Sequence, residues 1–324
     1  VDQRPLEVSD DREAGVDDGS QVLRLGVRFP GEHDMSRMLV LSGGGAYGAY
    51  QAGALDYLVR QQRRDYSHLY GVSVGAINAS YLAQYESGKL DIGVAELTKF
   101  WKQLKRKDVY KKCAVGMLAG IYRNHIYDSS PIIQWLTNDL DADRIAGSGR
   151  KLRVGAVCWD TGEYKIADET DARIAWWVAA SSSYPNFFKP IKIDGQLWTD
   201  GGLRNVTPVL RAAEEAVECG IDQIDVIICE NPATLEEWDP KGQVILPGFL
   251  FRSLSIIMKE LAMGDMQAVG WKNELCELKK KYAHLHINVC HPTRPLHGTS
   301  LDFAPPNMLL NMRRGYEDAK SLTR

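Results

Sequence analysis

A serine, an aspartate and a run of glycines are the residues in this chain whose types and spacing could carry out acyl transfer. Ser73 lies in Gly71-Val72-Ser73-Val74-Gly75, Asp200 opens Asp200-Gly201-Gly202, and Gly43-Gly44-Gly45-Ala46-Tyr47-Gly48 follows the apolar run Met38-Leu39-Val40-Leu41. In G-x-S-x-G the serine sits on a sharp, strained turn between a strand and a helix. Any flanking side chain would collide with neighbouring backbone there, so Gly71 and Gly75 fit the flanking positions. A helix starting near Val74 would aim its positive end at Ser73 Oγ and favour a developing alkoxide. Glycines let backbone N–H groups approach a substrate carbonyl, which makes Gly43, Gly44 and Gly45 candidate oxyanion-hole residues. The serine also needs a base. Gly201 and Gly202 allow an exposed turn that brings the Asp200 carboxylate to the serine, and partial burial would raise its basicity.

Each piece also has a purely structural reading, since a glycine run can be a tight turn and Asp-Gly-Gly an ordinary one. The segment ending at Gly48 satisfies G-x-G-x-x-G as well, but a dinucleotide fold needs an acidic residue at the end of its second strand. Here Asp65 precedes that strand, and Gly71-Val72-Ser73 follows it. Histidine is the usual base for a serine. None of His33, His68, His125, His284, His286, His291 and His297 sits in a motif, although the last four follow Asp200 in the order of α/β-hydrolases. Three rivals therefore stand beside a Ser-Asp hydrolase: a His-dependent α/β-hydrolase, a nucleotide-binding oxidoreductase and a non-catalytic or activator-dependent lipid-binding module.

These residues need elements to hold them. A strand over 37–41, a helix over 47–62, a strand over 66–70 and a helix over 74–86 are predicted, and this alternation implies parallel strands with right-handed crossovers. Residues 152–158 and 163–167 predict a strand pair across Asp160-Thr161-Gly162, and 225–228 and 286–289 later strands. Helical periods fit 94–104, 131–140, 172–181, 208–217 and 249–278. Residues 1–34 are acidic and aperiodic, the composition of a disordered tail, which leaves one domain over 35–324.

With these motifs in place, the sequence resembles the patatin-like phospholipases over most of its length. Residues 41–53 resemble the family's oxyanion segment, 71–79 its nucleophile elbow and 200–202 its aspartate turn. Ala180-Ser181 with Pro185, Phe187, Phe188 and Pro190, then Asn205, Pro208, Asp302-Phe303 and Gly315-Tyr316, resemble further family positions. The resemblance implies an α/β class, three-layer α/β/α fold with a central mainly parallel sheet. It implies a Ser73–Asp200 dyad without a catalytic histidine, no cofactor or metal, and release of fatty acids from phospholipids or other lipid esters. Tyr47 departs from the arginine or lysine common at that position, which implies altered rate or head-group preference.

Composition narrows the partners. A formal net charge of −3 offers no overall attraction to nucleic acid. The six cysteines include no C-x-x-C pair and are read as reduced thiols. No apolar run reaches the roughly 18 residues of a membrane span, so a cytoplasmic protein with peripheral membrane contact is expected. Residues 246–258, with Met263 and Met266, read either as an apolar lid or as a core helix. Lys102, Lys105, Arg106, Lys107, Lys111 and Lys112, near Trp101 and Tyr110, read either as a head-group surface or as a solvated face.

Overall fold

Met38 and Val40 face one side of a strand and Leu39 and Leu41 the other, and all four are fully buried, as a strand covered on both faces requires. The computed structural model describes residues 37–112, 125–231 and 285–323, with isolated helical positions between 253 and 264. The chain divides into the units Val1–Glu32 and His33–Arg324, and the described residues belong to the second. The tail expected over 1–34, His33, His284, Met263, Met266, and the apolar stretch 246–258 apart from Ser253, Ile256 and Ile257 lie outside the described residues.

In chain order the strands are β1 (Arg37–Leu41), β2 (His68–Val72), β3 (Lys111–Lys112), β4 (Tyr127–Asp128), β5 (Lys151–Cys158) and β6 (Tyr164–Asp168). They continue with β7 (Ile191–Ile193), β8 (Gln196–Asp200), β9 (Gln223–Ile227) and β10 (His286–Cys290). The described helices are α1 (Gly48–Leu55), α2 (Val74–Ala83), α3 (Leu90–Gln103), α4 (Arg106–Val109), α5 (Ser130–Asp139), α6 (Ala142–Gly147), α7 (Ile174–Ser181), α8 (Val209–Cys219) and α9 (Pro305–Ala319). Strands β10, β9, β1, β2 and β5 are parallel neighbours, while β6 and β8 run antiparallel to β5. Helices α1, α2, α3 and α7 pack on the Leu39 face and α8 on the Met38 face. The result is a three-layer α/β/α fold around a mainly parallel sheet.

One detail of register builds the site. Strand β2 pairs with β5 as far as Val72 opposite Gly155, and β8 pairs with β5 in the opposite direction, ending with Asp200 opposite Ala156. Strand β6 covers the other edge of β5 along 153–157, so β2 and β8 share one edge and meet head to head. The first residue beyond β2 is Ser73. The fold thus drives the two candidate catalytic residues together from opposite directions.

Two predicted boundaries move for local reasons. Strand β2 includes Gly71, in register with Leu41 and Val154, so the strand runs into the serine turn rather than stopping before it. The helix predicted over 47–62 is a 3₁₀ turn at Gly45–Tyr47, then α1, then a π-helical turn at Asp56–Gln61. Residues 102, 105–107 and 111 are exposed, but Trp101 and Tyr110 turn inward and are buried. The aromatic and basic residues of that segment therefore face in opposite directions.

Helices α1 and α9 cross closely: a Cβ on Gly53 would collide with the Met312 carbonyl, and one on Gly315 with the Tyr50 carbonyl. Gly315→Ala should lower the unfolding free energy by about 1–3 kcal/mol through overpacking. The check is a lower urea midpoint at unchanged slope; an unchanged midpoint would show that the crossing has room.

Candidate active site

Ser73 occupies the turn between β2 and α2 with φ +56 and ψ −127, a conformation that L-residues rarely adopt. The neighbouring elements hold it there. A Cβ on Gly71 would strike Gly75, and one on Gly75 would strike the Leu41 and Ser42 carbonyls, so β1, β2 and α2 meet at these two glycines. The Ser73 N–H donates to Ser181 Oγ at 2.9 Å, and Ser182 Oγ donates to the Ser73 carbonyl at 3.3 Å. Ser73 is the N-cap of α2, so the helix directs its positive end toward the serine.

Asp200 ends β8 and is fully buried. Its backbone N–H donates to the Ser183 carbonyl at 3.1 Å, and Thr199 Oγ1 donates to the same carbonyl. Three consecutive serines at the C-terminal end of α7 therefore stitch the two catalytic candidates together: Ser181 and Ser182 hold the elbow, and Ser183 holds the aspartate strand. Gly202 N–H donates to Asp200 Oδ1 at 2.8 Å, while Oδ2 is buried with no geometrically complete hydrogen bond. Burial pushes the Asp200 carboxyl up to about 7, opposed by the nearby Ser73 hydroxyl and the Gly202 N–H. The Ser73 hydroxyl thus lies near enough to favour the charged carboxylate, while Oδ2 itself makes no completed hydrogen bond. Such contacts commonly tighten only when substrate binds. Gly201 lies where a Cβ would strike the Gly155 carbonyl, at the point where β8 closes on β5.

The glycine turn forms the facing wall. Gly43 N–H is committed to the Val206 carbonyl at 3.0 Å, and Tyr47 N–H to the Gly44 carbonyl at 3.1 Å. Among the described residues, the N–H groups of Gly44 and Gly45 have no hydrogen bond in the structure, and both residues line the cavity beside Ser73. Gly45 has φ +57, and a Cβ there would collide with the Ser300 carbonyl. Gly48 packs against Val74 and Trp101 at the start of α1. A buried polar chain orients the turn from behind: Trp101 Nε1 donates to Asn78 Oδ1 at 3.0 Å, Asn78 Nδ2 to Gln51 Oε1 at 2.9 Å, and Gln51 Nε2 to the Ser42 carbonyl at 2.8 Å. The sequence motifs contain Gln51 and Asn78 without revealing this relay.

The cavity in front of Ser73 holds about 110 Å³, close to the size of cavities that take up a benzene-sized apolar molecule. Phe100, Trp101, Leu104, Ile132, Phe188 and Phe303 supply much of its wall. Only Phe188 and Phe303 belong to motifs visible in the sequence. Tyr184 also lines it, its phenol held in the protonated form by burial and by the carboxylates of Asp200 and Glu230.

No described histidine lines this cavity. His68 starts β2, at the end of the strand remote from Ser73, and His286 starts β10. Described cysteines Cys158, Cys229 and Cys290 are buried thiols and Cys219 is exposed, while Cys113 and Cys276 lie outside the described residues. Away from the cavity, His68, Glu215 and Cys219 bring potential metal-ligand atoms within 4.8 Å of one another. Arg153 Nη2 donates to Glu215 Oε1 at 2.6 Å, and Arg153 Nε and the Tyr70 phenol donate to Oε2. We read that group as an ion-pair network. Among the described residues, no helix is long and apolar enough to cross a membrane.

A family model described as patatin-like phospholipase matches residues 39–213, a span that contains the glycine turn, Ser73 and Asp200. The fold is similar to that of VipD from Legionella pneumophila at 15% identity and a TM-score of 0.44. That alignment covers 88% of this chain and 66% of that one, so this chain spans just under two thirds of its length. No curated protein gives a significant match. Because the family match takes in more than half of the chain, including its serine elbow, glycine turn and aspartate turn, the chain belongs to the patatin-like phospholipase family.

Proposed function

We propose that this protein is a serine lipid acyl hydrolase that cleaves fatty acyl esters of phospholipids or related lipids with a Ser73–Asp200 dyad. The observation that carries the reading is the buried carboxyl of Asp200, pushed up to about 7 beside a serine held at φ +56. A base with that affinity for protons is matched to general-base work near neutral pH. Asp200 takes the Ser73 proton as Oγ attacks the ester carbonyl carbon. The N–H groups of Gly44 and Gly45 stabilise the resulting oxyanion, joined by the positive end of α2. Collapse breaks the ester C–O bond, and the leaving alkoxide takes the proton from Asp200. A water then gives its proton to Asp200 as it attacks the acyl-enzyme carbonyl; collapse breaks the bond to Ser73 Oγ, which takes that proton back from Asp200, and the fatty acid leaves. Gly43 supports the hole through its bond to Val206 rather than as a donor.

The apolar wall of the cavity suits an acyl chain, and the reading needs neither cofactor nor metal. Hydrolysis of p-nitrophenyl butyrate should persist in EDTA; loss in EDTA with recovery on adding calcium would contradict the dyad as a sufficient apparatus. Peripheral membrane contact is part of the same proposal. Lys102, Lys105, Arg106 and Lys107 are exposed on the segment whose Leu104 and Val109 line the cavity. Glutamate at these four positions should weaken binding to anionic liposomes, read by co-sedimentation, by on the order of 10²–10³-fold, since each basic residue near such a surface contributes about 1 kcal/mol. Unchanged co-sedimentation would assign the cations to solvent.

A further inference from the structure

Residues 297–303 form a strap across the open side of the glycine turn, and this segment lies beyond the residues matched to the family. Ala46 N–H donates to the Ser300 carbonyl at 2.7 Å, in the position where Gly45 leaves no space for a side chain. The buried Tyr47 phenol donates to the Gly298 carbonyl at 2.9 Å. The strap is anchored on its far side as well. His297 N–H donates to Asn311 Oδ1 at 2.8 Å and Asn311 Nδ2 returns a bond to the His297 carbonyl at 3.0 Å. Asn307 Nδ2 donates to Asp302 Oδ2 at 2.7 Å, and the Tyr110 phenol to the Leu301 carbonyl at 2.9 Å. Ser300, Leu301 and Phe303 then form part of the cavity wall.

Beside the relay that reaches the Ser42 carbonyl from behind, this arrangement gives the glycine turn two flanking supports. On its N-terminal side Gly43 is fixed to Val206; on its C-terminal side the turn rests on the strap. The Ala46 and Tyr47 bonds join it to the strap, and Tyr47 supplies the one made by a side chain. Gly44 and Gly45, which line the cavity and whose N–H groups have no acceptor among the described residues, lie between the two supports. Small displacements there matter, because donors stabilise an oxyanion only when they are aimed at where its charge develops.

We propose that Tyr47 is a positioning residue that clamps the strap 297–303 to the glycine turn and so aims the Gly44 and Gly45 amides at the oxyanion. The inference rests on the acyl-hydrolase reading. Tyr47 does not touch the reacting atoms; it acts through Gly298 and the backbone of 44–46.

Tyr47→Phe removes one oxygen and keeps the ring. With p-nitrophenyl butyrate, kcat should fall about 10-fold, less than the 10²-fold or more that follows loss of an oxyanion donor outright. KM should stay within about twofold, because only transition-state binding is affected. A trifluoromethyl ketone, which adds Ser73 Oγ to form a tetrahedral oxyanion, should bind more weakly by a factor similar to the loss in kcat. The circular dichroism spectrum should match wild type. Should Tyr47→Phe fail to fold, Asn307→Ala loosens the strap from its other side and should lower kcat and ketone affinity together. A folded Tyr47→Phe or Asn307→Ala protein with wild-type kcat and ketone affinity would overturn the positioning role while leaving the hydrolase reading intact. A folded wild type that neither turns over the ester nor binds the ketone would overturn both.

Discussion

Asp200→Asn is expected to lower kcat for ester hydrolysis by on the order of 10⁴-fold, as loss of the acidic member does in better-known serine hydrolases. The substitution preserves shape, and the side-chain oxygen can still accept from Gly202 N–H, which donates to Asp200 Oδ1 at 2.8 Å. What it removes is proton affinity. An amide cannot take the Ser73 proton, so Oγ must attack unassisted. Ser73→Ala should be at least as severe, and the double variant should be no worse than the worse single one, because the two groups act as a unit. In the wild type, kcat/KM should rise with pH and level off above an apparent pKa near 7, the value to which burial raises Asp200. A profile that is flat from pH 5 to 8, or turnover surviving in Asp200→Asn within tenfold, would assign the base elsewhere.

The same substitution should make the protein more stable at alkaline pH. Asp200 has a carboxyl pKa of about 7 in the folded chain against an ordinary value of 3.8, because the charged form is buried. Between those two values the folded state binds the proton that the unfolded state releases. Stability contributed by this group is therefore present below about pH 4 and is lost as pH rises through 7. Three pKa units correspond to about 4 kcal/mol, an upper figure for the stability forgone above neutrality. Asparagine carries no charge to bury. The unfolding free energy of Asp200→Asn minus that of wild type should grow between pH 4 and pH 8 by up to that amount, measured by urea denaturation across pH. A difference independent of pH would show that the carboxyl is solvated in the folded state. Stabilisation by removal of a functional group is the usual sign of a site built against local stability.

Much of this architecture was legible in residue patterns. The order of apolar strand, glycine turn, small-residue helix, strand and serine turn marks β1, α1, β2 and α2; these elements are buried almost throughout, so their punctuation rather than an amphipathic period sets them apart. Gly71 and Gly75 identify the serine turn because the space there excludes Cβ atoms. Legibility fails where the information is tertiary. The hairpin of β7 and β8 is the exception: Asp194-Gly195 is a local two-residue turn signal with positive φ at both residues, +50 and +83, but β7 spans only Ile191–Ile193, too short to show a strand period. Without that hairpin, nothing in the sequence says that β8 ends head-on against β2. The Asp200–Ser73 proximity then has to be inferred from motif order alone.

The supporting shell was still less visible. Ser181 reads only as part of a family position and Ser182 and Ser183 belong to no motif, and the division of labour of the three between elbow and aspartate strand exists only once α7 is docked. The strap 297–303 carries no periodicity, and its contacts to Tyr47 and Ala46 span about 250 residues of sequence. Leu104 and Val109 give the opposite lesson. They look like ordinary core positions of a basic segment, yet they end up in the cavity wall because Trp101 and Tyr110 face inward beside them.

The claim at the centre of this account is that Ser73 is a nucleophile activated by Asp200, and intact-mass measurement after exposure to an alkyl fluorophosphonate tests it most directly. The account predicts a single adduct on the wild-type chain, no adduct on Ser73→Ala, and much slower labelling of Asp200→Asn. A folded wild type that remains unlabelled, or a Ser73→Ala chain that labels as fast as wild type, would contradict it.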